Sequence, residues 1–405
     1  LNSVKSIDEN VMNEVQLMSL QDLPFKQEVE KLGGKIFSVG GAVRDEFLGK
    51  ESKDLDILIT GIPMDKLEEI LSHYGRVDAV GKSFGILKFK PQGSTEDIDV
   101  AIPRTEKPTG SGGHKGFEVS SDHALPIEDD LRRRDFTINA IAKDINGNII
   151  DPFGGQQDLQ NKIIRVVNPE AFSDDPLRML RAIQFASRFG FTIEPETMKL
   201  IIDNASRIKE IPPERILIEF QKIVDKGDKL IGVDLLRKSG LFQQIFGRDI
   251  GINRADPWNQ VKTMGEYIYL MIKDIIENPS EFYLKNLKGD IDSNKEIKAL
   301  DLAFKNNSSN PIAARSIAHN MYSISPQSLQ SQMLPTGVKV AAQELLSAKY
   351  PKMISDLAVN GNDLMALGLK GKEIGDTLKM MLLKVYSDNA RNNKDELLKL
   401  INSEL

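Results

Sequence analysis

The pattern of apolar and polar positions changes character near residue 170. Before that point, short apolar or alternating runs at 35–39, 54–60, 84–90 and 97–102 predict strands, and apolar positions at helical spacing predict a helix near 64–73. Residues 8–32 carry apolar positions at helical spacing and predict one or two helices leading into the first strand. Beyond 170 the strand signal stops, and helical patterns run to the end with Pro and Gly breaks near 211–213, 240–257 and 335–337. The expected fold is an α/β head, a small mixed sheet with helices, followed by an all-helical remainder. The pattern gives a head over 1–168 with a helical lead-in, a helical stretch over 169–250 and a helical body and tail over 251–405.

The stretch 35–60 carries the densest chemistry. An apolar run ends at Val39, the chain turns at Gly40 and Gly41, and after an amphipathic segment it returns as Asp54-Leu55-Asp56-Ile57-Leu58-Ile59. Side chains two apart on a strand share a face, so Asp54 and Asp56 project together while Leu55 and Ile57 point into the core. Two close carboxylates repel unless a cation lies between them. Mg²⁺ takes one or two carboxylates together with phosphate oxygens, so the pair reads as a metal seat facing a nucleotide. A side-chain-free turn beside it lets backbone N–H groups approach a phosphate.

Three further segments bear on the same chemistry. In TEDIDVAIPRTE, Asp99 stands between Ile98 and Val100 as an acid on an apolar strand. The Gly- and Ser-rich segment from Lys107 to His123 reads as a surface loop. In SDDPLRMLRAIQFASRFGF, Ser173 is expected to be an N-cap, with Pro176 in the first turn and Asp174 and Asp175 at the positive helix end. An Asp175 to Arg178 pair is expected at i,i+3, and Met179, Ile183 and Ala186 form the buried stripe.

Composition narrows the classes. A net charge of −6 argues against indiscriminate nucleic-acid binding but not against a local basic groove, for which Arg132, Arg133, Arg134, Arg178, Arg181 and Arg188 are candidates. There is no cysteine, which removes disulfides and thiolate metal sites and suits a reducing cytoplasm. No apolar run is long enough to span a membrane. The acidic, polar first twenty residues read as neither a signal nor a transit peptide.

VGGAVRD followed by KDLDILIT resembles the nucleotidyltransferase superfamily, and more narrowly the class II tRNA nucleotidyltransferases (CCA-adding enzymes) and bacterial poly(A) polymerases. RRDFTINA, within Asp129 to Ala142, and the SDDPLRMLR helix extend that resemblance, which is firm from about 35 to 245. It implies two-metal nucleotidyl transfer, with Asp54 and Asp56 holding Mg²⁺ and Asp99 assisting. Gly40, Gly41, Arg44 and Arg134 would position the triphosphate, Asp135 the ribose hydroxyls, and Asp175 with Arg178 the base, with Arg181 beside them. In the class II family Asp175 would accept from the amino group of C or A, and Arg178 would donate to the adjacent ring nitrogen; U and G present the opposite pattern. The 107–123 loop matches the flexible segment that complete CCA-adding enzymes carry.

The implied substrates are CTP, ATP and the tRNA 3′ end on its acceptor arm. No membrane association and no obligatory protein partner is implied, and the implied location is cytoplasmic. Poly(A) polymerase and enzymes adding CC or A alone are the alternatives, with a non-catalytic RNA-binding module a remoter one. Two positions depart from the family: Asp174 stands where Glu is usual, and Gln184 where a third Arg is frequent. Four histidines, at 73, 114, 123 and 319, supply no paired-His site for the phosphohydrolase domain of some bacterial relatives.

Overall fold

The computed structural model describes residues 19–52, 55–108, 117–249 and 251–404. By its contacts the chain divides into two compact units, Leu1–Ala182 with Phe191–Asn204, and Ile183–Gly190 with Ala205–Leu405.

The first unit is built on a mixed sheet. After α1 (Lys26–Lys31) come β1 (Lys35–Val39), α2 (Gly41–Phe47), β2 (Asp56–Thr60), α3 (Met64–Ser72), β3 (Gly75–Asp78), β4 (Ile86–Pro91) and β5 (Ile98–Ala101). A hairpin, β6 (Arg104–Pro108) and β7 (Phe117–Ser121), precedes α4 (Ile127–Arg132), β8 (Ala142–Asp144) and β9 (Ile149–Ile150). Among the described residues the main sheet has the order β3-β4-β5-β2-β1-β8-β9. Its neighbours are antiparallel except β2 and β5, which run parallel.

Alternation gives the strands two different faces. Ile57, Ile59, Leu87, Phe89, Ile98 and Val100 face a core closed by Val29 of α1 and Leu67, Ile70 and Leu71 of α3. On the other face Phe37, Val39 and Leu58 pack with Ile127 and Leu131 of α4, Ala140 and Ala142. The four strands expected from the pattern are present. The pattern missed β3, whose Gly75-Arg-Val-Asp is half exposed and offers one apolar side chain. It also read 107–123 as loop throughout, whereas Lys107, Pro108 and Phe117 to Ser121 pair in the hairpin; 109–116 lie outside the described residues.

The first unit continues through α5 (Gly155–Asn161), β10 (Ile163–Ile164), α6 (Pro169–Asp174), α7 (Leu177–Phe189), β11 (Thr192–Ile193) and α8 (Pro195–Asn204); α7 runs on into the second unit. Ser173 is not the N-cap of the long helix. It lies in α6, whose cap is Asn168, and its hydroxyl donates to the Pro169 carbonyl at 3.0 Å. Pro176 forces the break: it lacks an N–H and disfavours helical backbone in the residue before it. Asp175 is accordingly extended, at φ −118° and ψ 94°, and its own carboxylate accepts from the Leu177 N–H at 3.2 Å to start α7.

The second unit is helical: α9 (Pro213–Lys226), α10 (Lys229–Lys238), α11 (Leu241–Phe246), α12 (Met264–Ile272), α13 (Pro279–Asn286), α14 (Ile291–Lys305), α15 (Pro311–Ile324), α16 (Thr336–Leu346), α17 (Gly361–Ala366), α18 (Lys372–Tyr386) and α19 (Lys394–Glu404). Every residue of α12 is buried, and α9 and α14 pack on it. A capping box starts α12, with Thr263 and Glu266 satisfying each other's backbone N–H. Thr263 Oγ1 also donates to Glu296 of α14 at 2.7 Å. Burial pushes the Glu296 carboxyl from 4.5 up to about 7; the Thr263 hydroxyl opposes the shift and the charges of Glu266 and Asp290 add to it.

A carboxyl raised in the folded state stabilises while protonated, and that contribution is lost as pH rises through the folded value. Glu296→Gln should therefore flatten the fall in melting temperature between about pH 5 and pH 8. Identical melting profiles for the two proteins across that range would disprove this account.

Candidate active site

The main sheet brings the acidic and glycine motifs to one end. β1 and β2 are antiparallel with Ser38 opposite Ile57, so the turn after Val39 lies beside the start of β2. β2 and β5 are parallel with Asp56 directly opposite Asp99, and both side chains are exposed. Residues paired this way on adjacent strands point to the same face, about 4.7–4.9 Å apart in the pairing direction. Lys88 of β4 stands opposite Asp99 on the other side. Asp54 lies outside the described residues. Among the described residues no group of three or more His, Cys, Asp or Glu is placed to hold a metal ion. Paired carboxylates in register are nonetheless the donor chemistry that a hard divalent cation takes.

Gly40 has φ +70° and ψ −132°, a conformation open to glycine, and its carbonyl accepts the Arg44 N–H at 3.1 Å to open α2. A Cβ added there would lie 2.9 Å from Nη1 of Arg134. The Arg134 guanidinium thus rests against the turn. It is held from behind by Asp130 of α4, fully buried, which accepts from Arg134 Nη2 at 3.2 Å, Arg133 Nε at 3.1 Å and the Arg104 N–H at 3.2 Å. Glu106 bridges Arg104 and Arg133, each at 3.4 Å. Burial pulls the Arg134 guanidinium below its ordinary value, with Asp130 opposing. Nε of Arg134 and Nε of Arg104 are buried donors without a hydrogen-bond partner among the described residues. An anionic oxygen in reach of Arg134 would satisfy chemistry that the protein leaves open.

A second network runs behind the turn. Arg44, 6% exposed, donates from Nη1 to Asn139 Oδ1 at 2.7 Å. Asn139 donates from Nδ2 to Asp135 Oδ1 at 3.1 Å, and Asp135 Oδ2 accepts from Arg181 Nε of α7 at 2.7 Å. The Phe136 N–H also donates to Asp135, at 2.8 Å. Burial pushes the Asp135 carboxyl up, but Arg181, Arg178 and Asn139 outweigh it and hold it at about 2. Both Asp135 oxygens are therefore engaged within the protein. The segment is pinned by pairing with 165–167, through Thr137 N–H to Arg165 O at 2.9 Å and Val167 N–H to Asp135 O at 3.1 Å.

Asp175 and Arg178 meet at the start of α7, Nε to Oδ2, at 3.9 Å. Arg178 is 9% exposed and donates from Nη2 to the Arg133 carbonyl at 2.6 Å, which fixes its fork. Its neighbour Asp175 keeps one oxygen on the Leu177 N–H and presents the other beside the guanidinium. An acceptor and a donor side by side suit a planar ring edge that offers a donor next to an acceptor. Gln184 is buried, so a side chain there is withdrawn from the surface. The sequence reading did not single out Asp130 or Asn139. The first was detectable from its spacing, three and four residues before Arg133 and Arg134; the second is a lone amide in the apolar run of Ile138 to Ala142.

A strand, a Gly-Gly turn and carboxylates in register on the neighbouring strands come together at this end of the sheet. Residues 36–165 match the model described as the poly A polymerase head domain, and residues 190–249 the one described as the probable RNA and SrmB-binding site of polymerase A. Over these stretches the chain is similar to CCA-adding enzymes and bacterial poly(A) polymerases. It is 41% identical over 214 residues to a multifunctional CCA protein of Nitrosococcus oceani and 39% over 217 residues to one of Acinetobacter baumannii. Each alignment covers 52% of this chain and 50% of the relative, so the chain spans about half the length of these relatives. The fold is similar to that of the Bacillus stearothermophilus CCA-adding enzyme in complex with CTP, at TM-score 0.71 and 24% identity over 94% of this chain and 96% of that one. It is also similar to the Thermotoga maritima enzyme complexed with tRNA, at TM-score 0.70 and 22% identity over 94% of both chains.

Gly40→Ala would force both a strained backbone and a displaced Arg134. We expect a loss of about 1–3 kcal/mol in unfolding free energy by urea denaturation. An Ala variant as stable as the wild type would contradict the assigned turn geometry.

Proposed function

We propose that the chain catalyses template-independent addition of C, C and A to the 3′ end of tRNA, using CTP and ATP and releasing pyrophosphate. The observation that carries this reading is the register of Asp56 with Asp99 at the sheet end where the Gly40 and Gly41 turn meets Arg134. The names of the relatives and of the enzymes with similar folds, which include complexes with CTP, ATP and tRNA, support the same substrates. Residues 1–168 would serve as the catalytic head, 169–250 as a neck for base selection and RNA binding, and 251–405 as a body and tail for tRNA. No helix among the described residues is long and apolar enough to cross a membrane. In this reading the protein works on tRNA in the cytoplasm.

In this reading Asp54 and Asp56 hold Mg²⁺ and Asp99 assists. The ions, when bound, stabilise charge on the attacking and leaving oxygens of an in-line displacement. Arg134, backed by Asp130, and Arg44 at the turn supply the positive charge that orients the triphosphate. Asp135 serves the nucleotide through its hold on Arg181 and Asn139, since its oxygens are engaged within the protein. Asp175 accepts from the amino group of C or A, and Arg178 donates to the ring nitrogen beside it. U or G would leave each of those groups facing its own kind, at about 1–3 kcal/mol for the buried Arg178.

The test is a gel extension assay with tRNA transcripts lacking the terminus or ending in CC. Wild-type protein with Mg²⁺, CTP and ATP should add C, C and A and stop. A long A ladder would indicate poly(A) synthesis instead, and A added to the CC-ending RNA alone a split activity. Asp56→Ala and Asp99→Ala should each lower addition by about 10³-fold while tRNA binding by gel shift is retained. Undiminished addition by either variant would sink the carboxylate assignment.

A further inference from the structure

The chain of contacts from Arg44 to Arg181 has a chemical requirement at its middle. A guanidinium can only donate and a carboxylate can only accept, so the group between Arg44 and Asp135 must accept on one side and donate on the other. A primary amide does both without charge, and the two partners dictate its orientation, Oδ1 toward Arg44 and Nδ2 toward Asp135. Arg44, Asn139 and Asp135 are all more than nine-tenths buried, where hydrogen bonds are strong and an unpaired member is costly. One end of the chain lies in the first turns of α2, directly after the Gly40 and Gly41 turn. The other lies on α7, two turns from Asp175 and one from Arg178.

We propose that Asn139 is a positioning residue that couples the phosphate-facing turn to the base-facing helix, so that seating the triphosphate and aligning Asp175 and Arg178 are one event. The inference rests on the nucleotidyltransferase reading above. The amide touches neither nucleotide nor metal in this account. It transmits order because a shift of Arg44 breaks its bond to Oδ1 and, through the planar amide, disturbs the bond from Nδ2 to Asp135 and the grip on Arg181. Asn139→Asp keeps the length and the acceptor toward Arg44 but sets a carboxylate against Asp135. Asn139→Leu keeps the volume and removes both bonds.

The test is a thermodynamic cycle on CTP affinity, measured by calorimetric titration without RNA, using Arg44→Lys, Arg181→Lys and the double variant. With Asn139 present, the two single effects should combine to less than their product, with a coupling of about five- to tenfold. In the Asn139→Leu background they should multiply to within about twofold. The ratio of UTP to CTP incorporation should rise in Asn139→Leu and Asn139→Asp, an effect that loss of stability alone does not produce. If Asn139→Leu does not fold by circular dichroism, Asn139→Asp replaces it, and the cycle in the Asn139 background still decides. Independent effects in that background would overturn the proposal while leaving the nucleotidyltransferase reading intact. Coupled CTP binding in a protein that extends no RNA would sustain the coupling and overturn the reading. A wild type that binds no CTP would overturn both.

Discussion

Asp56 and Asp99 are held opposite each other across a parallel strand pair, a spacing at which two carboxylates repel. That register is imposed by the apolar residues on the opposite face. Ile57, Val100 and Ile98 must reach the core under α1 and α3, and because the period of a strand is two, their burial turns Asp56 and Asp99 outward together. The parallel sense adds a second demand. Parallel neighbours need a crossover, and here α3, β3 and β4 supply it before β5 enters beside β2. The antiparallel pairing of β1 then leaves the glycine turn at the carboxylate end. The site is thus a by-product of core packing plus topology.

Behind the carboxylates the site is stiffened by buried ion pairs rather than by apolar packing. Such pairs contribute little net stability, because desolvation offsets attraction, yet removing one partner is costly. That asymmetry is useful where geometry matters more than free energy. Asp130 fixes two guanidiniums and a backbone N–H, and Asp135 fixes Arg181, Asn139 and its own turn. Neither carboxylate has an oxygen left uncommitted. The carboxylates that face outward, Asp56 and Asp99, are exposed.

Much of this was legible from alternation. The strand runs at 35–39 and 54–60, the helix at 64–73 and the all-helical second half follow from apolar periodicity, because each buries a regular face. β3 and the β6–β7 hairpin were not legible, since each strand offers few apolar residues and owes its conformation to its pairing partner. The helix start near Ser173 was misread because two local signals competed. Ser173 is an acceptable cap, but Asn168 with Pro169 is another, and Pro176 then restarts the helix with Asp175 as the residue that satisfies Leu177. At the site, residue types and alternation pointed to Asp56 and Asp99, and the family resemblance to Arg134 and the Asp175 and Arg178 pair. Asn139 was not found, because a buried amide has no sequence signature apart from the partners that tertiary structure brings to it.

The charge of the site also reconciles an acidic chain with an anionic substrate class. Overall the protein is −6, but behind the turn Arg104, Arg133 and Arg134 share two carboxylates, Asp130 and Glu106. Among the described residues this cluster has three guanidiniums to two carboxylates in a partly buried setting, where charge is screened less than on the surface. Burial lowers the proton affinity of both Arg104 and Arg134, and each keeps a buried Nε donor with no partner among the described residues. Under the proposed function, such a cluster beside a glycine turn and two outward carboxylates would suit a ligand bearing phosphate oxygens on one side and a coordinated cation on the other. Long-range charge then disfavours unspecific polyanion binding, while this short-range deficit rewards a ligand that fits both halves.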